Sequence, residues 1–257
     1  MLHTSRRTRL TLFCALAAIS GALGVASAAV PQLPDARQLI DRHIEAIGGR
    51  DAIEAHTSSH ATGAIEVLGQ GLVGSLEIYA AAPNKTVVTV NFPAAGMENR
   101  TGYDGETGWS TDSIMGQRLL QAGELQQLVD EADYYGDLHD AAKFSSVETV
   151  GEEEFRGYAT YKVKLVYLSG REVFEYFDKE SGRIVGIEGV QESIMGSMNV
   201  ATVFEEYQQF GDVTMPTRMV QELGALQKVQ ITIETVEMDS VDPTVFDLPA
   251  AIQALIR

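Results

Sequence analysis

From residue 58 to residue 234, apolar and polar side chains alternate in run after run, and this pattern constrains the chain more than any other feature. Ile65 and Val67 alternate with Ala64 and Glu66, Leu76 and Ile78 flank Glu77, and Val88, Val90 and Phe92 alternate with Thr89 and Asn91. Farther on, Tyr161, Val163, Leu165 and Tyr167 share a face opposite Lys162 and Lys164. Phe174 and Tyr176 share another, Val200 and Phe204 oppose Val203, and Val229, Ile231 and Ile233 close the series. Successive side chains of a strand point to opposite faces, so a period of two with one polar face reads as antiparallel sheet. Residues 173–177 are apolar on both faces, which predicts a strand covered on both sides.

The punctuation agrees. Tyr103-Asp104-Gly105-Glu106-Thr107-Gly108-Trp109 reads as an aromatic-flanked hairpin loop, and Phe177-Asp178-Lys179-Glu180-Ser181-Gly182 repeats its spelling. The Asp side chain is expected to start each turn and the final Gly to supply positive φ. Helical spacing appears in only a few places. Ala36, Ile40, Ile44 and Ile47 follow the N-cap candidate Asp35 and stop at Gly48-Gly49. Residues 51–55 predict a second short helix, Leu125, Leu128, Val129 and Ala132 a third over 123–133, and residues 250–256 a last one. The order of elements implies an α+β chain, one long antiparallel sheet with two or three helices segregated to one side.

Residues 1–28 read as a secretory signal peptide. Arg6, Arg7 and Arg9 are followed by an apolar run over residues 10–25 and the cleavage site Ala26-Ser27-Ala28. The Arg6-Arg7 pair leaves twin-arginine and general export both open. Residues 29–34 read as a linker with two prolines, and 35–257 as a single domain, placed in the periplasm after cleavage near Ala28. The single cysteine, Cys14, falls in the leader behind Phe13, where a lipid-modified cysteine needs a small residue. The mature chain is then without disulfide or thiolate chemistry. The formal charge of −17 becomes −20 once the three leader arginines are removed. That balance excludes nucleic acid as the main partner and disfavours an anionic membrane surface, and no stable membrane insertion is expected after cleavage.

Catalytic patterns are missing. His56 and His60 are four apart, but where a helix end turns into a strand, so they are read as an exposed pair and not as metal ligands. His43 is expected to face solvent and His139 to sit in a polar loop. Met195-Gly196-Ser197-Met198 lacks the second glycine of a nucleophile elbow. Gly69-Gln70-Gly71-Leu72-Val73-Gly74 has no helix after it and reads as a hairpin turn. The runs Glu152-Glu153-Glu154, Glu205-Glu206 and Asp130-Glu131 are expected to be solvated, and Asn84 and Asn99 open Asn-x-Thr triplets. The chain is therefore expected to be no enzyme and to need no metal or cofactor. What remains is apolar: Trp109 and seven methionines after Met1, side chains that suit irregular apolar surfaces.

These features follow an order. An opening helix runs into Ala46-Ile47-Gly48-Gly49-Arg50-Asp51-Ala52-Ile53, and Thr62-Gly63 enters the first strand. Glu77-Ile78-Tyr79 precedes Pro83-Asn84-Lys85, and Gly102-Tyr103-Asp104-Gly105 precedes Gly108-Trp109. Gly157-Tyr158, Tyr161-Lys162-Val163, Tyr176-Phe177-Asp178, Gly182, Pro216 and Phe246-Asp247-Leu248-Pro249 complete it. Over residues 35–249 the chain resembles the LolA/LolB-like group of exported half-barrels and their outer-membrane lipoprotein-sorting relatives. The resemblance implies a strongly curved antiparallel sheet, an incomplete β-barrel with helices over its concave side. It also implies an apolar pocket for acyl chains and no catalytic residue. The expected function is a carrier for a lipid or an acylated protein, with Trp109, Met115, Leu119, Phe174, Tyr176, Met198 and Phe204 as candidate pocket residues. Two other readings stay open. One is an envelope protein-interaction module with a filled core; the other is a hydrolase whose residues meet only in space, with His56 or His60 as base.

Overall fold

Asp35 opens the first helix by accepting a hydrogen bond from the Arg37 N–H at 2.9 Å, and α1 (Ala36–Ala46) ends before Gly48 and Gly49, whose φ values are +127° and +89°. These features belong to a computed structural model that describes residues 32–193, 196–225 and 227–256. The expected signal peptide, with Cys14, half of the linker and Met195 lie outside the described residues. A second helix, α2 (Arg50–Glu54), leads into the strands. They are β1 (Ser58–Val67), β2 (Leu72–Ala81), β3 (Lys85–Phe92), β4 (Met97–Tyr103), β5 (Gly108–Asp112) and β6 (Gly116–Leu119). After α3 (Ala122–Glu131) come β7 (Phe144–Phe155), β8 (Tyr158–Tyr167), β9 (Glu172–Asp178), β10 (Ile184–Ser193), β11 (Gly196–Phe210), β12 (Val213–Leu223) and β13 (Gln227–Met238), and the chain closes with α4 (Ala250–Ile256).

All thirteen strands join one antiparallel sheet in the order β6-β5-β4-β3-β2-β1-β13-β12-β11-β10-β9-β8-β7. The first six strands meander outward from the middle to one edge, and the last seven meander back from the other edge. The sheet does not close, because β6 and β7 are edges and do not pair. The chain between them, residues 120–143, must therefore cross the whole width of the sheet. Within it lie α3 and two single 3₁₀ turns, Gly136–Leu138 and Ala141–Lys143. The crossing is held at β10, where the Glu192 N–H donates to Gln127 Oε1 at 2.9 Å.

The inner face, under the crossing, carries the main core. Leu39, Ile40, Ile44 and Ile47 pack on Val163 and Leu165 of β8, Phe177 of β9, Ile184 of β10 and Val213 of β12. Each such side chain removed from water contributes about 1.5–3 kcal/mol. His43 is on the same stripe, three residues after Ile40 and four before Ile47, and it is 3 % exposed. The expectation that it faces solvent gave weight to its polarity; its helical position decides its place.

The outer face is not bare. Phe155 stacks on Tyr176 at 3.9 Å beside Val185 and Val203. At the other end Val87 and Trp109 are covered by Phe246 of a 3₁₀ turn, Pro243–Phe246, and by Ile252 of α4. Parity on β5 separates the two faces. A Cβ on Gly108 would stand 2.6 Å from Leu125 Cδ1 of α3, whereas the next residue, Trp109, packs against the C-terminal helix. Thus α1 and α3 lie on one face and α4 on the other, one helix beyond the set expected to cover the concave side.

The repeated loops form as expected, with one difference. Asp104 Oδ1 accepts from the N–H groups of Glu106 and Thr107 at 2.9 and 2.7 Å. The positive φ of that loop falls on Gly105, at +104°, and Gly108 is glycine for the close approach of Leu125. In the second loop Gly182 takes it, at +76°.

Candidate functional site

The crossing segment does not rest flush on the sheet. Between it, α1 and strands β9 to β12 lies a cavity of about 360 Å³. Two smaller spaces adjoin it, about 220 Å³ toward β1 and β2 and about 140 Å³ over β9 to β12, and Glu131 of α3 lines all three. Apolar walls come from Ile47, Ile187 and Phe204 in the first space and from Ile53, Ile78, Met215 and Met238 in the second.

Three polar residues of the lining, His43, His139 and Glu175, are buried. His139, expected in a polar loop, is 5 % exposed because the crossing lays it against β9. Its Nδ1 contacts the Asp137 carbonyl oxygen at 2.9 Å and its Nε2 contacts Glu175 Oε2 at 2.8 Å. A carbonyl only accepts, so Nδ1 carries a proton, and the carboxylate on the far side favours a second proton on Nε2. Burial opposes that charge, and Glu175 together with the carbonyl and charge of Asp137 outweighs burial, with the result that the His139 pKa is pushed up to about 9. His43 meets His139 edge to face, with ring centroids 6.3 Å apart. Its Nδ1 accepts from the Ile184 N–H at 3.3 Å. Burial first, then the charges of His139 and Arg183, lower its pKa to about 3. Tyr207 donates its hydroxyl proton to the Ile184 carbonyl at 2.5 Å, and burial holds that proton in place by raising its pKa.

Carboxylates predominate around this group. Arg171 reaches Asp130 at 3.4 Å and Glu131 at 3.0 Å, and Lys143 pairs with Asp133. Burial raises the pKa of Glu131 against the pull of Arg171, and burial raises that of Asp137. Both acids nevertheless keep accessible surface and are exposed. A larger groove of about 800 Å³ runs outside, along α1 and α2. Its rim is charged, with Arg50 and Glu54 paired across one helical turn at 3.0 Å.

The seven residues expected to line one pocket are divided between the faces. Phe204 lines the inner cavity, beside Tyr207 at 6.5 Å. Met198 shares its parity six residues back on β11. Trp109 and Leu119 belong to the outer cluster under α4, where Trp109 is 0 % exposed. Phe174 and Tyr176 are also on the outer face, beneath the Lys162 ammonium at 4.8 and 5.0 Å, and Phe174 lines a separate outer depression. Met115 is exposed in the β5–β6 turn, where its N–H donates to Asp112 at 2.9 Å. Of the other histidines, His60 stacks on Tyr79 on the outer face, while His56 bridges Asp239 at 2.7 Å and Asp212 at 3.0 Å. The residues that define the cavity, His43, Asp137, His139 and Glu175, were not among the candidates. Only His43 carried a signal, its place on the α1 stripe.

No protein-family model matches the sequence, and no curated protein matches it. Solved structures do share the architecture. A DUF1329 family protein from Desulfovibrio piger superposes with a TM-score of 0.56 at 13 % identity, covering 82 % of this chain and 97 % of that one. A LolA superfamily protein from Nitrosomonas europaea gives 0.56 at 12 %, covering 84 % and 99 %. The chain has the LolA-like fold. An outer-membrane lipoprotein-sorting protein domain from Vibrio parahaemolyticus agrees, at 0.54 and 13 % identity over 82 % and 97 % of the two chains. At such identities the LolA-like likeness carries the fold and nothing finer.

Proposed function

We propose that the chain is an exported carrier that holds an amphiphilic, lipid-like ligand between the inner face of its LolA-like sheet and the crossing segment. The observation that supports this most is a set of adjoining half-open clefts between the crossing segment and the inner face of the sheet. Three adjoining spaces remain where helix and strand faces would otherwise close on each other. Their walls mix methionine and isoleucine with a few convergent polar groups, the lining expected of a ligand pocket. Each acyl CH₂ removed from water there contributes about 0.8 kcal/mol.

Two of the histidines weigh against a catalytic base. Both ring nitrogens of His139 and both of His56 are engaged, so neither has a free nitrogen to take a proton from a nucleophile. The leader at residues 1–28 places this activity in the periplasm in our reading, with a lipid or an acylated protein as cargo.

The test is native mass spectrometry of the mature protein taken from its own envelope, followed by lipid extraction. A co-purifying amphiphile, lost from a folded Phe204→Asp variant, is the expected result. A clean apo mass with no uptake of offered lipids overturns the reading.

A further inference from the structure

A meander sends alternate turns to opposite ends of its sheet. The turns after β1, β3, β5, β8, β10 and β12 share one end, because β1 meets β13 at Val67 and Val229 and β12 meets β13 at Leu223 and Gln227. The turns after β2, β4, β7, β9 and β11 share the other. The two ends differ in chemistry. At the second end Asp104, Glu106, Arg156, Lys179, Glu180 and Asp212 put charge into the turns themselves. At the first end residues 67–76, 86–97, 113–117, 193–204 and 223–227 carry no charge at all. Arg171, the one charge in the sequence of these turns, is held by Asp130 and Glu131. Arg118 and Lys228, next along the strands, are held by Glu124 and Glu222.

Apolar side chains take the place of charge there. Val73, Ile114, Met115, Leu168 and Val190 are exposed at this end, Ile114 at 76 % and Leu168 at 70 %. The other large apolar side chains exposed among the described residues lie near the chain ends or, as Val150, on β7. Single exposed apolar residues are ordinary, but a concentration of them marks an interaction site. From Ile114 beyond β5 to Leu168 beyond β8 the row spans about 50 Å of sheet, at about 4.8 Å per strand. It also adjoins the inner clefts, because the space of about 140 Å³ is lined by Arg171, Val190, Val200 and Gln221, at or next to these turns.

We propose that this end of the sheet docks reversibly on the surface of a bilayer with zwitterionic headgroups, its turns dipping their apolar side chains into the boundary between headgroups and acyl chains. A protein partner calls for a compact patch packed to interior density, whereas a long row of separate tips, one hairpin deep, matches a plane. An anionic leaflet calls for basic side chains, and here the nearby cations are already paired. Docking of this kind holds whether or not the clefts carry cargo, and it would bring the cleft beside Val190 to the acyl chains.

Flotation of the mature protein with phosphatidylcholine vesicles tests this. The wild type is expected to float with them, as much at high salt as at low. Ile114→Ser, Leu168→Ser and Val73→Ser should each weaken partitioning by about threefold or more, and the triple variant, still folded by circular dichroism, should stay unbound. Val150→Ser, on β7, is the control and should float as the wild type does. No flotation of the wild type, flotation kept by the triple variant, equal loss in Val150→Ser, or binding that requires added phosphatidylglycerol overturns the inference and leaves the carrier standing. So does a dimer in solution that the triple variant abolishes, which would give the tips to a second copy. An apo mass in the lipid-extraction experiment overturns the carrier alone.

Discussion

His43 and His139 meet edge to face at 6.3 Å and hold opposite protonation states, His43 neutral with a pKa lowered to about 3 and His139 charged with one raised to about 9. One ring packs among isoleucines and accepts a backbone N–H; the other is clamped between a carbonyl and a carboxylate. The charge of His139 helps keep its neighbour neutral.

The pair gives stability a two-sided pH dependence. In the unfolded chain both titrate near 6.5. The contribution of His139 is complete below 6.5 and is lost as pH rises toward 9, because the folded state binds its proton more tightly. That of His43 is complete above 6.5 and is lost as pH falls toward 3, because the unfolded state binds the proton more tightly. Urea midpoints across this range should fall on the alkaline side for the wild type and flatten there in His139→Gln. A parallel alkaline limb in both proteins would refute the assignment.

Glu175→Gln removes the partner of a buried imidazolium. Breaking a buried pair this way costs about 3–5 kcal/mol. In the variant the His139 ring should titrate well below 9 by NMR while still folded. An unchanged titration would mean that Glu175 does not hold the charge.

Gly108→Ala would place a Cβ 2.6 Å from Leu125 Cδ1. Leu125 Cδ1 is the end of a half-buried side chain that can turn aside, so the cost should fall at the low end of overpacking, about 1 kcal/mol. Combining it with Leu125→Ala should recover part of the loss, and a double-mutant cycle by chemical denaturation measures the coupling.

Truncation after Pro249 removes α4 and with it Ile252, which is fully buried against the cluster of Trp109. Trp109 is the only tryptophan, so its emission reports the outer-face cluster alone. A red shift with the sheet intact by circular dichroism is expected. Unchanged emission would show that the turn at Pro243–Phe246 covers the indole without help.

Local patterns were the legible part of this fold. The Asp35 cap, the Gly48-Gly49 stop and the alternation along Val88-Thr89-Val90 each depend on residues close in sequence, where propensity and period speak directly. The site was less legible. His139 and Glu175 are 36 residues apart and meet only because the chain must cross from β6 to β7. Alternation groups Phe174 with Tyr176 and Val200 with Phe204, but it does not say which group looks toward α1. That depends on register and on which strand lies under the crossing.

The middle of the sheet is made by the two strands most distant in the chain, with Ser59 paired to Met238 and Val67 to Val229. A polypeptide emerging amino end first therefore exposes the unpaired flank of β1 until β13 has followed. Each meander can zip up locally, but joining them waits for a loop closure that spans most of the domain, which is slow by its topology. Such a chain becomes a single sheet only once β13 has emerged to meet β1.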